Sequence, residues 1–507
     1  MNRIGWKYCA CRFQWFRACC LLLLALTCLV QQGFAQSSRP NAPAPASSIH
    51  QQRVIILTDI GADPDDTMSL VRLLTYSNEI DIRGLVATTS VFQKDRIEEE
   101  SIRRVLKAYQ AARPSLLRNA SGYPAFETLS ARVSHGLPVY GMEGVGEGHD
   151  SPGSNLIVAE LERPDDRPLW ISVWGGPNTL AQALWKIRKT RTDADAEKLY
   201  RKLRVYTISD QDDSGAWIRR SFPSVFYICS PGNFDKATWT GFSTGWPGAD
   251  SEVISREWLA RNIQQGHGPL GAAYPDIAYG MEGDTPSYLA LIPNGLNDPE
   301  HPNYGGWGGR YELYQPTFED ANWQPSYSYT VRPVPETRPL WTNAVDTYTP
   351  LGWKPPADAP GMRPPVYTSI QATIWRWRDE IQNDFAARMC WASKPFSQCN
   401  HPPVPVLIGP AEFTVTEGEP IVLDATGSHD PDGDSLSYYW FPYLEAGDFK
   451  EPIGYGFFAP NLIRLVVTAP HVDAPRTVHF ILKVTDKGTP PLTRYKRVIV
   501  HIRPRGK

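Results

Sequence analysis

The chain has 507 residues, a length that corresponds to roughly three domains at about 150 residues each. Its 51 Lys and Arg against 54 Asp and Glu leave a net charge of −3, which argues against the broad basic field of a nucleic-acid scaffold. With 42% hydrophobic residues a wholly disordered chain is excluded, while 17 Trp and 46 Pro imply heavy aromatic packing or flat sugar platforms, and ordered loops.

Residues 1–35 carry Arg3, Lys7, Arg12 and Arg17, then the apolar run Ala18 to Val30, then Gly33-Phe34-Ala35, small residues suited to signal peptidase. The apolar run is about 13 residues long, short of the about 20 that span a bilayer, so the segment reads as a cleaved signal peptide without stable membrane insertion. The mature protein is thus expected to be secreted or periplasmic. Cys9, Cys11, Cys19, Cys20 and Cys28 leave with the signal. Of the rest, Cys390 and Cys399 can close a short loop in an oxidising compartment, Cys229 reads as a buried thiol, and neither arrangement has zinc-site spacing.

Residues 36–52, rich in Ser, Pro and Ala, read as a flexible linker. Val54 to Leu57 is a continuous apolar run of the buried parallel-strand type, and an acidic turn follows it. Leu70, Leu73 and Leu74 mark a helix. Further strands fit Ile82 to Thr88, Leu169 to Val173 and Arg204 to Ile208, and helices fit Ile97 to Ala112 and Thr179 to Arg188. This βαβα alternation predicts an α/β domain over 53–401 with a parallel sheet, its ligand edge at the strand carboxyl ends. Residues 294–366 read as long ordered loops, and Ile370, Ile374, Trp377, Ile381 and Phe385 as one core-facing helix closing the domain. From Pro402 the texture becomes short β-type runs, which predicts a small all-β immunoglobulin-like sandwich over 402–507.

The segment of greatest chemical interest is Asp59-Ile-Gly-Ala-Asp63-Pro-Asp65-Asp66, four carboxylates in eight residues at a strand end. Such a group repels itself unless a cation neutralises it, and all-oxygen ligands suit Ca²⁺ or Mg²⁺. One helix cap does not require four acids.

This turn resembles the Asp-rich first turn of the calcium-dependent nucleoside hydrolases. Trp174-Gly-Gly-Pro-Asn178-Thr-Leu-Ala181 is similar to their Gly-Pro segment after a central strand, and Asp284 in Met281-Glu-Gly-Asp-Thr-Pro-Ser287 to their late Asp. Segments 208–219 and 305–311, in the same order, resemble a nucleoside-hydrolase-like family known from a cellulose-binding protein, in which this domain precedes a β-sandwich. The resemblance implies a nucleoside-hydrolase-like fold and a Ca²⁺ held by Asp59, Asp65, Asp66, Asp284 and the Gly175 carbonyl. It implies Asp59 as acceptor of a proton from water; His149, a lone loop histidine, is the expected acid. Asn178, Gln211, Asp212, Glu282 and Trp307 are the expected sugar contacts, although a solvated helix start around Asp210 to Asp213 and an ordered aromatic loop around Trp307 fit the sequence equally well.

Leu423-Asp-Ala-Thr-Gly-Ser-His-Asp430-Pro-Asp432-Gly-Asp434, followed by Trp440, resembles PKD-type and cadherin-like modules of secreted enzymes, which serve as spacers or binders. The resulting expectation is an exported, calcium-dependent hydrolase-like protein acting on the glycosyl bond of a carbohydrate or nucleoside-like small molecule. The alternative is a catalytically idle carbohydrate-binding protein of the cellulose-binding kind. A homo-oligomer stays open.

Overall fold

The computed structural model describes residues 51–232, 234–321, 331–350, 358, 361–453 and 461–506. The expected signal peptide and most of the expected linker lie outside these residues. Eight strands form the first sheet: β1 Gln52–Thr58, β2 Ile80–Ala87, β3 Val133–His135, β4 Leu169–Val173, β5 Leu203–Thr207, β6 Phe226–Cys229, β7 Tyr311–Tyr314 and β8 Leu340–Asn343. Their order is β3-β2-β1-β4-β5-β6-β8-β7, parallel except where β7 runs against β8. The loops around 294–366 thus hold β7 and β8, short strands whose mixed Gly, Pro and aromatic composition hides the period of two.

Alternation along β1 shows why this run is a strand. Val54 and Ile56 belong to one core with helices α1 (Asp65–Thr75) and α2 (Glu99–Asn119), and Ile55 and Leu57 belong to the core on the other face. That second core takes its helical residues mainly from α3 (Pro152–Glu162), α4 (Asn178–Thr190), α5 (Asp193–Lys202) and α6 (Ser214–Ser221). A strand buried on both faces has no polar side, hence the unbroken Val-Ile-Ile-Leu run. The order reverses direction between β1 and β4, so the loops leaving their carboxyl ends part to opposite faces and open a crevice there.

The closing helix is broken. Ala372–Trp375 forms one short helix and α7 (Arg378–Trp391) the next, with Trp377 buried between them. Cys390, in the last turn of α7, forms a disulfide with Cys399, and Cys229 is a buried free thiol.

The carboxyl-terminal region is all β. A short antiparallel ribbon, β9 (Asp346–Tyr348) with β10 (Tyr367–Ser369), precedes it. Strands β11 (Glu412–Thr416), β13 (Ser437–Pro442), β15 (Arg476–Thr485) and β16 (Thr493–Arg503) form one sheet, and β12 (Pro420–Asp424) and β14 (Arg464–Thr468) form a second. Between them lies a core with Ile421, Trp440, Phe480, Leu482 and Val500. The outward face of the larger sheet is also covered: Phe441, Tyr443, Ile481 and Tyr495 join the first core, and Trp377 meets Tyr495 edge-on at 5.7 Å.

Polar ties cross the same junction. Asp384 of α7 accepts from Arg494 of β16 at 2.6 Å, from Arg388 at 3.0 Å and from the Tyr76 hydroxyl at 2.7 Å. Burial would raise this carboxyl, but Arg494 and Arg388 together hold it down to about 2. Its folded value lies below its unfolded value of about 3.9, so its contribution is complete above about pH 4 and is lost as pH falls through about 2. Asp384→Asn removes the charge opposite two buried guanidinium groups and should cost about 3–5 kcal/mol at neutral pH, with a shallower acid limb in melts from pH 4 to 2.

Candidate functional site

Two chain reversals build the site at the β1/β4 crevice. After β1, the Thr58 hydroxyl donates to Asp66, and the backbone N–H groups of Asp65 and Asp66 turn onto the carboxylates of Asp63 and Asp65. These bonds close the turn tightly enough that one oxygen each from Asp63, Asp65 and Asp66 lies within 4.8 Å of the others. Asp59 is buried beside them and held by the Ser90 hydroxyl. From across the domain comes Asp284, also buried, close enough that the charges of Asp65, Asp66, Asp59 and Asp63 all act on it.

After β4, the Trp174-Gly-Gly-Pro segment brings bare backbone against these acids. A Cβ on Gly175 would sit 2.7 Å from Asp59 Oδ1, and one on Gly176 would sit 2.3 Å from Asp212 Oδ2. Gly283 is bare for the same reason: its Cβ would lie 2.6 Å from Asp65 Oδ2 and 3.2 Å from the ring of Trp239. Glycine is required wherever backbone approaches this closely.

The electrostatics follow from packing like charges out of water. Burial first, then the charge of Asp63, raises Asp59 to about 6 against the pull of the Ser90 hydrogen bond. Burial and mutual repulsion push Asp65, Asp66 and Asp284 well above the usual carboxylate range. Burial raises Asp212 to about 7, although Ser214 donates to it twice. Asp284 Oδ2, Asp212 Oδ2 and Gln211 Oε1 are buried and find no donor among the described residues. Oxygen-only groups, negative and short of donors, are the ligand set of a hard divalent cation. The acidic cluster fits a metal ion on these grounds.

The expected site residues fall into two groups. Asp59, Asp65, Asp66, Gly175 and Asp284 come together at the crevice, joined by Asp63, which the expected ligand set omitted. Gln211 and Asp212 reach the same edge: Gln211 Nε2 donates to the Trp174 carbonyl at 2.5 Å, and Asp212 faces Gly176. Asn178 is nearby but already saturated. Its amide donates to Thr89 Oγ1 at 3.0 Å and to the Val139 carbonyl at 2.7 Å, and its oxygen accepts from Thr88 at 2.8 Å, so it ties loops rather than presenting a free group.

The structure gives two others a different role. Glu282 is fully buried and accepts from two N–H groups of Arg72, from the Tyr274 hydroxyl at 2.6 Å and from the Thr285 hydroxyl at 2.8 Å. That knot holds its backbone in the left-handed region (φ 50°) and leaves no oxygen for a sugar. Trp307 is fully buried, its indole N–H directed at the Tyr495 hydroxyl 3.4 Å away, so it packs the junction instead of offering a platform. His149 lies in the loop before α3, next to Asp150, which pairs with Lys186; among the described contacts none joins it to the acids. Trp239 and Ser90 were missed, because only the folded chain brings them to Asp65 and Asp59.

With this geometry in view, the comparisons with known proteins are specific. Residues 53–311 match the family described as cellulose-binding Sde182, nucleoside hydrolase-like domain, and residues 420–502 match the cellulose-binding protein Sde0182, C-terminal domain. One solved structure is that of a nucleoside hydrolase-related hypothetical protein from Saccharophagus degradans, associated with carbohydrate metabolism. It is 35% identical, aligns over 89% of this chain and 100% of that chain, and gives a TM-score of 0.74. No curated protein matches. The chain belongs to this nucleoside hydrolase-like family.

A pH dependence follows for the metal-free protein. Asp59 and Asp212 have folded values of about 6 and about 7, above the unfolded carboxylate, so the stability they give is complete below about pH 4 and lost as pH rises through those values. Chelator-treated protein should therefore melt higher at pH 5 than at pH 7.5. Added Ca²⁺ should raise the melting temperature most at pH 7.5, where it replaces the missing protons; melts at both pH values with and without the ion check this.

Proposed function

We propose that this protein is an exported carbohydrate-binding protein, with a glucan of the cellulose kind as ligand, that keeps a hydrolase-type sugar site at the β1/β4 crevice. The observation that carries it is the convergence of five carboxylates on glycine backbone at that crevice, where three acceptor oxygens find no donor among the described residues. Sugar hydroxyls are donors, and unpaired buried acceptors bind them at the least desolvation cost. The family description of cellulose binding and the relative's association with carbohydrate metabolism support the ligand class. The Cys390–Cys399 disulfide supports an oxidising compartment outside the cytoplasm.

Asp59, Asp65, Asp66, Asp284 and the Gly175 carbonyl would hold the ion, for which we propose Ca²⁺, with Asp63 beside them. Bound there, it would neutralise the cluster and polarise oxygens brought to it. Gln211 and Asp212 would then accept from a sugar through oxygens that are unpaired in the described structure. Trp239, its ring beside Gly283 and its indole N–H directed at Ser209 Oγ 3.4 Å away, forms a fixed apolar wall.

A second reading is hydrolysis of a glycosyl bond, and one observation favours it: Asp59, raised to about 6, is a proton acceptor near neutral pH. In that reaction water adds to the anomeric carbon as the bond to the leaving group breaks. Asp59 takes the water's proton, and the leaving group needs a proton donor, the role proposed for His149.

Cellulose retention and product analysis decide between the two. The binding reading expects the protein to be retained on cellulose and to release no product from cello-oligosaccharides or nucleosides by mass spectrometry. Product release that Asp59→Asn abolishes would establish hydrolysis instead, and failure to bind any carbohydrate would contradict both readings.

A further inference from the structure

A second group of acids lies outside the crevice, at the end of the carboxyl-terminal sandwich that meets the first domain. Asp430, Asp432 and Asp434 occupy the loop before β13, and Asp486 follows β15 directly. Asp430 and Asp486 each spend one oxygen on the local fold. Asp430 Oδ1 accepts from the backbone N–H groups of Asp432 at 2.8 Å and Asp434 at 3.1 Å. Asp486 Oδ1 accepts from Asn400 Nδ2 and the Leu492 N–H at 3.0 Å and from the Gly488 N–H at 2.9 Å. The second oxygens, Asp430 Oδ2 and Asp486 Oδ2, are buried and find no donor among the described residues, and Asp486 as a whole is 0% exposed. Burial raises both carboxyls from their ordinary values, and the charge of Asp430 adds to the rise at Asp486. Buried carboxylate oxygens are normally met by donors, so two that repel one another and meet none mark the place of a cation.

The neighbouring groups decide the kind of cation. Asp432 is taken by His401: both of its oxygens lie 3.1 Å from the ring Nδ1, and one accepts from the His401 backbone N–H at 2.7 Å. His401 Nε2 meets Asn119 Oδ1 at 3.2 Å, and the ring stacks on Trp391 and Phe396 at 5.0 and 3.7 Å. With His401 committed, the donors left are the unpaired oxygens of Asp430 and Asp486 and the carboxylate of Asp434, which has no partner among the described residues. An all-oxygen set of this kind suits Ca²⁺ and not zinc. Asp430 and Asp434 are only partly buried, so an ion reaches the place from solvent. Helix α2 separates it from the crevice. Glu98, just before the helix, lies against Gly61 of the acid turn, and Asn119 at its end, about 30 Å on at 1.5 Å per residue, meets His401.

We propose that Asp430, Asp434 and Asp486 form a second Ca²⁺ site, separate from the acidic crevice, and that the ion clasps the carboxyl-terminal sandwich to the first domain. The clasp runs through two adjacent residues. Asn400 donates to Asp486 and to the Pro490 carbonyl at 2.8 Å, and it fits against bare backbone, since a Cβ on Gly488 would lie 2.2 Å from Asn400 Nδ2. His401 bonds Asp432, in the loop that the ion fixes, and Asn119 of the first domain. The site is less complete than the crevice. There, three carboxylate oxygens already lie within 4.8 Å of one another, whereas no third acid does so here among the described residues and Asp434 has to turn in. The crevice therefore fills first and the clasp second.

The test counts Ca²⁺ on the full chain by equilibrium dialysis and follows melting in parallel. The wild type should hold two ions, the Asp63→Asn, Asp65→Asn variant one, and the Asp430→Asn, Asp486→Asn variant one. On the Asp63→Asn, Asp65→Asn background, the remaining rise in melting temperature with Ca²⁺ should vanish when Asp486→Asn is added. In chelator Asp486→Asn should melt no lower than the wild type, because the amide keeps the Oδ1 acceptor, removes a buried like charge and supplies a donor. Asp434→Asn, partly exposed and with no described partner to lose, should weaken the second ion about tenfold with the fold intact. Two ions still held by the Asp430→Asn, Asp486→Asn variant, none held by a folded Asp63→Asn, Asp65→Asn variant, or wild-type affinity in Asp434→Asn would overturn the second site. A single ion in the wild type that only Asp430→Asn with Asp486→Asn removes would keep this site and end the crevice one.

Discussion

Repulsion among carboxylates buried at the end of β1 is the constraint around which the first domain is organised. Asp59, Asp65, Asp66 and Asp284 are packed out of water against one another, and each is pushed toward its neutral form for that reason. A fold that needed only a turn there would not keep such a group. The β1/β4 reversal makes room for it, the Gly175-Gly176 backbone closes on it, and Gly283 lets its backbone pass close to both Asp65 and Trp239. Strand order, glycine placement and acid placement thus serve one crevice.

The surrounding ion pairs are of the opposite kind. Arg72 with Glu282, and Arg388 and Arg494 with Asp384 and Glu79, are groups whose charges cancel and whose hydrogen bonds are met. Glu282 of the Arg72 pair lies two residues from Asp284, so a neutralised knot anchors the turn that carries the last acid of an unneutralised site. The contrast between filled and unfilled acids separates structural charge from binding charge in this molecule.

Much of this was legible in the sequence, and the reason differs from element to element. The Val54 to Leu57 run and the alternating strands after Pro402 carry strong periodicity, and both fold where that pattern puts them. The acid turn was legible as chemistry because four clustered carboxylates repel one another unless a cation neutralises them, and the Gly-Gly-Pro segment was legible through its family resemblance. Strands β3, β7 and β8 were not, being three or four residues long and without a clear period. Glu282 and Trp307 had the right residue types for a sugar site, but burial and partners assign their roles, and Arg72 and Tyr495 lie far away in sequence. Trp239 had no local signal at all, since its relation to Asp65 exists only across the crevice.

The central claim is that the acids at this crevice form one cation site, and crystallographic location of the ion tests it most directly. Crystals grown with Ca²⁺, and with a lanthanide for anomalous scattering, should show one ion with oxygens of Asp59, Asp65, Asp66, Asp284 and the Gly175 carbonyl at about 2.3–2.6 Å for Ca²⁺. An empty crevice at saturating Ca²⁺, or an ion bound only elsewhere, would contradict the account.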